Sequence, residues 1–247
     1  MQKSTDGLVI KEQKVGEADR LITILTRDRG LVRAFANGAY KLKHKNASST
    51  QLLCYSKFLL YQSKSGYTVN EAEPLELFYG LRNHLEKLSL AQYFCELALM
   101  LVPEEAESEG ILRLLLNALF YLSRGLRDDA LIKGVYEMRL LSKLGYMPDL
   151  VMCEDCGVYE ADTMHFFVNR AKLLCGSCFQ PSHAQSAPLG KGALTALRHC
   201  VYADFSKVFS FTLPEEATGQ FARAAQAYLL CNLDRAPKTL AFYESIL

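Results

Sequence analysis

The chain carries no strong charge of either sign. Its 28 Lys and Arg balance 27 Asp and Glu, for a formal net charge of +1, so the total points to no partner class until it is mapped along the chain. Long hydrophobic runs are missing as well. Leu97–Val102 falls far short of the roughly 20 apolar residues that cross a bilayer. The opening MQKSTDGLVI has neither the apolar core nor the small-residue cleavage site of a signal peptide. The motifs G-x-x-x-x-G-K-S/T, H-E-x-x-H and G-x-S-x-G are absent, which removes the usual phosphate-cradling, metalloprotease and serine-hydrolase chemistries. His84, His165, His183 and His199 stand with no acid or nucleophile at a motif spacing. There is no internal repeat and no low-complexity tract. What is left is a chain of 247 residues, 50% hydrophobic and 22% charged, ordinary for a globular protein and long enough for one large domain or two or three small ones.

Four cysteines are arranged for a metal. Cys153-x-x-Cys156 and Cys175-x-x-Cys178 are separated by 18 residues, a spacing that lets two short loops place four thiolates at the corners of one tetrahedron, as in structural Zn²⁺ sites. Gly157 and Gly176 allow tight turns in which amide N–H groups point at sulfur, and Met164–Val168 suits a short strand between the two knuckles. Arg170 and Lys172 are expected to offset part of the charge of a four-thiolate Zn²⁺ site, with Glu154 and Asp155 opposing them. Redox-active C-x-x-C pairs normally open a helix in a βαβ unit, and no such pattern surrounds these. Four cysteines fill the coordination shell, which leaves His165 outside it and no position for a catalytic water. Cys54, Cys95, Cys200 and Cys231 sit singly among apolar residues and read as buried free thiols. Reduced thiols, metal-type spacing and the lack of a leader together point to the cytosol.

The near-neutral charge hides an asymmetry. Residues 1–80 hold 12 Lys and Arg against 8 Asp and Glu, net +4, and residues 81–247 hold 16 against 19, net −3. From Arg27 to Lys64 eight basic residues (Arg27, Arg29, Arg33, Lys41, Lys43, Lys45, Lys57 and Lys64) face one acid, Asp28. The same segment reads as strands: Leu8–Lys11, Leu21–Thr26, Leu31–Ala36, Phe58–Gln62 and Tyr67–Asn70, separated by turns at Gly16, Asp28-Arg29-Gly30, Asn37-Gly38 and Ser65-Gly66. Alternation puts Arg33 on one face with Leu31 and Phe35, and Val32, Ala34 and Ala36 on the other. Five strands in about 75 residues suggest a small barrel, either an OB-fold or an SH3-like barrel. Lys41, Lys43 and Lys45, at alternate positions of an extended loop, would project to one side and neutralise several phosphates at once. His44 is expected to be an exposed neutral neighbour. Phe35, Tyr40, Tyr55 and Tyr61 are interleaved with these cations, an arrangement on which single strands stack. Taken singly, each aromatic is expected in the barrel core, which needs large side chains.

From about Pro74 the period becomes helical. Leu85, Leu88, Gln92, Cys95 and Leu99 mark a course ended by Pro103. Ser108–Ser123 carries a wide stripe of Ile111, Leu114, Leu115, Ala118, Leu119 and Leu122. Asp128 or Asp129 can cap a third helix that runs to about Gly145, with Tyr136, Leu140, Leu141 and Leu144 as its core face. Pro181–Pro188 reads as a loop, followed by helices near Gly192–Ala203, Glu215–Asp234 and after Pro237. Glu104, Glu105, Glu107 and Glu109 read as a solvated junction. The expected architecture is α+β and multidomain: a five-stranded barrel over 1–79, then a helical domain over 80–247 with a four-cysteine zinc-knuckle module inserted at 151–180.

DGLVIKEQKVGEADRLITILTRDRGLVRAFANGAYKLK resembles the N-terminus of the RecO family in Gly7–Ile10, Gly16-Glu17-Ala18-Asp19, Leu21–Gly30 and the basic loop Gly38–Lys45, in order and spacing. GYTVNEAEPLELFYGLR resembles the family's exit from barrel to first helix, and the C-x-x-C pairs match members that keep a zinc site. The resemblance runs nearly end to end. Two departures stand out: the loop Tyr40-Lys41-Leu42-Lys43-His44-Lys45 has lysine where many members have arginine, and Cys54-Tyr55 replaces a proline and phenylalanine. The resemblance implies an OB-fold N-terminal domain, a helical C-terminal domain, one structural Zn²⁺ on Cys153, Cys156, Cys175 and Cys178, and no enzymatic turnover. It implies a cytoplasmic, nucleoid-associated DNA repair and recombination mediator. Such a protein binds single- and double-stranded DNA, anneals complementary strands and, with RecR and single-strand-binding protein (SSB), helps load RecA on SSB-coated DNA. The residues expected to hold DNA are Arg27, Arg29, Arg33, Tyr40, Lys41, Lys43, Lys45 and Lys57. The competing readings are a zinc-containing protein-interaction adaptor that touches no DNA, and a zinc enzyme, which needs an open coordination position.

Overall fold

The computed structural model describes residues 1–64, 66–180 and 186–247. Its first five strands are β1 (Gln2–Val15), β2 (Asp19–Thr26), β3 (Leu31–Ala36), β4 (Tyr55–Ser63) and β5 (Gly66–Glu76). They form a closed barrel in the order β1-β2-β3-β5-β4, with β1 paired to β4 from Gln2↔Tyr61 to Leu8↔Tyr55. All neighbours are antiparallel except β3 and β5, which run parallel at Ala34↔Tyr67 and Phe35↔Thr68. This order is the OB-fold's, and it decides between the two small barrels that strand number alone leaves open. The interior is filled by Val9, Ile22, Ile24, Val32, Ala34, Ala36, Phe58, Leu60 and Val69. Val32, Ala34 and Ala36 therefore point inward, and Arg33 and Phe35 outward, as the alternation predicts. β1 is far longer than Leu8–Lys11. Its flanks are polar and carry no hydrophobic signal, yet the ladders to β2 and β4 continue through them. Gly30 lies where two backbones meet: at φ +58°, an added Cβ would fall 2.2 Å from the Pro103 carbonyl oxygen, so no larger residue fits.

Among the described residues six α-helices follow: α1 (Leu85–Leu101), α2 (Glu109–Arg124), α3 (Asp129–Lys143), α4 (Lys191–Tyr202), α5 (Glu215–Cys231) and α6 (Lys238–Ser245). Between α3 and α4 lies a small sheet of β6 (Met164–Phe167), β7 (Lys172–Cys175) and β8 (Ser186–Leu189) in the order β7-β6-β8. Packing groups the chain into one unit of Met1–Arg124 with Pro237–Leu247 and a second of Gly125–Ala236. Thus α1, α2 and α6 pack with the barrel, and α3, α4 and α5 with the cysteine module. None of the helices among the described residues is long and apolar enough to cross a membrane.

Several expectations need correcting. On α1, Leu85 is 56% exposed, and the buried set is Ser89, Leu90, Ala91, Tyr93, Phe94, Cys95, Leu97 and Ala98. The helix is covered by β1, α2 and α6, and burial on several sides erases a single stripe. Residues 181–185, including His183, lie outside the described residues, as does Ser65 of the expected Ser65-Gly66 turn. Ser186–Leu189 is not loop but β8, with Pro188 opposite His165. Being an edge strand, β8 tolerates a residue with no N–H. Of the four single cysteines, Cys231 is exposed, its Sγ 2.9 Å from Asn169 Oδ1. By contrast, the α2 stripe is buried as expected. Asp128 caps α3 by accepting hydrogen bonds from the Ala130 and Leu131 amides.

The core of the second unit also holds charges that periodicity passes over. Lys133 and Glu137, one turn apart on α3, form an ion pair at 2.7 Å with side chains 6% and 0% exposed, and Lys133 also donates to Gln226 Oε1. Removing one partner of such a pair leaves the other buried and uncompensated. Glu137→Ala is expected to cost about 3–5 kcal/mol, measured as a lower urea midpoint at unchanged slope. Replacing both partners, Lys133→Met with Glu137→Leu, should recover most of that loss.

Candidate nucleic-acid interface and metal centre

The basic loop between β3 and β4 is not extended. Successive backbone bonds from Lys41 N to Gly38 O, His44 N to Lys41 O and Ala47 N to His44 O wind it into consecutive turns. Lysines at alternate positions of such a coil do not share one side, so the expected comb of Lys41, Lys43 and Lys45 does not form. Two buried residues hold the coil. Arg20 donates to Ala47 O at 3.0 Å and Thr50 Oγ1 at 2.9 Å and pairs with Glu12 at 3.6 Å. Asn46 donates to Asn70 O and accepts from the Ala72 amide. His44 is half-buried, and its Nδ1 accepts from the Asn46 amide. Neither Arg20 nor Asn46 is among the expected site residues. A signal for Arg20 was present, since it occupies the inward parity of β2 with Ile22 and Ile24.

The expected contact residues divide into two groups. Arg27 is bound to Asp6 at 2.8 Å, and this pairing, helped by Tyr55, raises its pKa. Arg29 pairs with Asp28 at 3.3 Å, and Lys45 with Glu71 at 3.0 Å. Tyr40 lies between two cations, with Arg20 4.6 Å and Lys14 5.5 Å from its ring centroid. Arg33, Lys41, Lys43 and Lys57 are exposed and make no ion pair among the described residues. Arg29 and Arg33 line a cavity of about 420 Å³ with Lys3, Tyr67 and the acids Asp28, Glu104 and Glu105. The acidic junction is therefore partly wall to the cationic surface and not simply solvated. Lys45 and Lys57 line a second cavity of about 430 Å³ with Glu71 and Glu73. The structure thus brings the expected residues together in pairs, not as one patch. The aromatics also depart from expectation: Phe35 is 42%, Tyr40 39% and Tyr61 50% exposed. Ala34, Ala36, Leu60 and Val69 take the interior positions beside them.

In the second unit the Sγ atoms of Cys153, Cys156, Cys175 and Cys178 all lie within 4.8 Å of one another, and Cys156 and Cys175 are 3.6 Å apart. Tetrahedral metal–sulfur bonds of about 2.3 Å require sulfur atoms about 3.8 Å apart, so four thiolates and one metal ion fit. β6 and β7 set the spacing through Met164↔Cys175, and Gly157 turns the first knuckle at φ +72°. The glycine amides bond to carbonyls, Gly157 to Cys153 O and Gly176 to Thr163 O. Amides of neighbouring residues point at sulfur instead, Cys175 N donating to Cys153 Sγ at 3.3 Å. Burial pushes the Cys153 thiol up, but N–H groups of Cys156, Cys175 and Asp155 outweigh it and lower the pKa to about 7. Arg170 and Lys172 are not directed at the thiolates. Both pair with Glu154, at 3.2 and 2.7 Å, and the Lys172 hydrogen bond holds that carboxyl below its usual range. His165 stacks on Phe179 at 3.8 Å, outside the sulfur cluster.

Two family models cover the chain: Recombination protein O N terminal over residues 1–78 and Recombination protein O C terminal over residues 82–241. The chain is 36% identical over 242 residues to DNA repair protein RecO of Acetivibrio thermocellus, covering 98% of this chain and 96% of that one. It is 30% identical to the Symbiobacterium thermophilum protein of the same name (98% and 97% covered) and 31% identical to that of Desulforudis audaxviator (99% and 97%). The chain belongs to the RecO family. Membership places it among DNA repair and recombination proteins, and the two RecO models meet where the sequence changes from strand to helix. The Cys54 thiol is buried 3.2 Å from Ser56 Oγ. Tyr55 opens β4 opposite Leu8.

The cysteine geometry predicts one bound metal ion per chain, measurable by atomic emission. Cys175→Ser should lose it and lower the melting temperature by roughly 5–10 °C. Because thiolates, not thiols, bind metal, affinity should fall as pH falls, read as metal released to a chromogenic chelator.

Proposed function

We propose that the barrel binds single- and double-stranded DNA and brings complementary strands together for annealing. With RecR and SSB, the protein would then help load RecA on SSB-coated DNA. The observation that carries this reading is the outer wall of the barrel and its loop, where Arg33, Lys41, Lys43 and Lys57 are exposed and make no ion pair among the described residues, and where Phe35 and Tyr61 are exposed as well. Cations of this kind release counterions from phosphates, and a cationic surface that holds two polyanions lowers the repulsion between them while their bases pair. Lysine makes point contacts without arginine's bidentate fork, so the loop suits backbone binding indifferent to sequence. The ion on the four cysteines is proposed to be Zn²⁺, which takes tetrahedral thiolate sites without redox chemistry. With no open position it acts as a folding element, and no small-molecule turnover is proposed. A cytoplasmic, nucleoid-associated location accompanies this role.

A protein-binding adaptor is the second reading, favoured by the pairing of Arg27, Arg29 and Lys45 with acids of the same barrel. The double substitution Lys41→Glu with Lys43→Glu separates the two. For a DNA-binding barrel it should weaken oligonucleotide affinity roughly tenfold, equally across sequences, and flatten the salt dependence by about one unit of slope per lost contact. Binding unchanged through a salt series would exclude the loop as a contact. A wild-type protein that retains no DNA at low salt would favour the adaptor.

A further inference from the structure

The register of the barrel lines up outward residues across all five strands. Leu21 on β2 pairs with Phe35 on β3, Phe35 with Thr68 on β5, Thr68 with Tyr61 on β4, and Tyr61 with Gln2 on β1. This row contains no acid. Its two aromatics are among the exposed large side chains of the barrel, and both flank the small Thr68. Arg33, two residues before Phe35 on the same face, makes no ion pair. Two strand steps put the Phe35 and Tyr61 backbones about 10 Å apart, well beyond the 3.4 Å rise between stacked bases. Adjacent bases of a helical strand cannot cover both rings, whereas a stretched, unpaired strand can, with a nucleotide spanning Thr68. A duplex offers its base edges and phosphates but keeps its base faces stacked inside.

Resting on the reading that the barrel binds DNA, we propose that this row is a dedicated single-strand site. Unpaired bases stack on Phe35 and Tyr61, and Arg33 neutralises a phosphate on the Phe35 side of the row. The lysine loop, by contrast, meets the backbone of single and double strands alike. Strand discrimination then resides in the aromatic row and general affinity in the loop.

The test is fluorescence polarisation of the full chain with a labelled oligo-dT and with a blunt-ended hairpin duplex at one fixed salt concentration. Phe35→Ala and Tyr61→Ala should each weaken oligo-dT binding roughly tenfold and leave duplex binding unchanged, while Tyr61→Phe, which keeps the ring, should bind both as wild type does. Equal losses on both ligands, or no loss on oligo-dT, would overturn the single-strand site while leaving DNA binding by the barrel intact. A wild-type chain that binds neither ligand would overturn the DNA-binding reading itself. Crosslinking of the wild-type chain to an oligonucleotide carrying 5-iododeoxyuridine provides a check independent of variant folding. Adducts at Phe35 or Tyr61 support the site, and adducts confined to the lysine loop contradict it.

Discussion

The outer surface of the barrel depends on a two-residue alternation that a closed sheet cannot relax. With β1 bonded to both β2 and β4, no strand can slip without breaking the ring. A shift of β3 by one residue would drive Arg33 into an interior of Val, Ile, Ala and Phe, at a desolvation cost no partner there could offset. Small Ala34 and Ala36 inside thus hold Arg33 and Phe35 outside. Arg20 marks the limit of the rule. It has inward parity but sits at the start of β2, where Ala47 O and Thr50 accept from one guanidinium nitrogen and Glu12 lies 3.6 Å from another. The same interactions that make its burial tolerable hold the lysine-bearing coil in place.

A different constraint orders the second unit. The cysteine module is too short to bury a core of its own, and its four clustered thiols could hold a metal ion that would supply the missing cross-link. A second anchor is polar: buried Arg198 on α4 donates to Leu150 O, Val151 O and Tyr159 O, with the Tyr159 ring 3.9 Å away. The backbone on either side of the first knuckle is therefore tied to one helix. Arg139 closes the C-terminal end of α4 in the same way, through Cys200 O, Val201 O and Ala203 O. Arginines that satisfy carbonyls at the joins, together with four cysteines placed to share one metal ion, tie the cysteine module to α4.

How much of this is legible in the residues alone follows from the range of the interactions involved. The four ligand cysteines, the strand faces of β3, the α2 stripe and the Asp128 cap are set by neighbours within a few residues, and all are readable from the sequence. The coil at Gly38–Ala47 is not, because its turns depend on Arg20 and Asn46, whose partners lie 24 to 30 residues away. The pairings of Arg27 with Asp6 and of Lys45 with Glu71 likewise join residues more than twenty positions apart. Together with Arg29–Asp28, they turn a run of eight basic residues into three engaged ones and five with no ion pair among the described residues. The exposed rings of Phe35 and Tyr61 contradict a sound expectation, that small barrels bury their aromatics, because small residues and Phe58 already occupy the interior.

The central claim is that an electrostatic, backbone-directed surface on the barrel holds DNA. It is tested most directly by a salt titration of the unmodified protein against one single-stranded oligonucleotide. Contacts by Arg33, Lys41, Lys43 and Lys57 predict that log affinity falls linearly with log salt, with a slope of about −2 to −3. Measurable binding in dilute buffer with a slope near zero, or no binding at all, would contradict it.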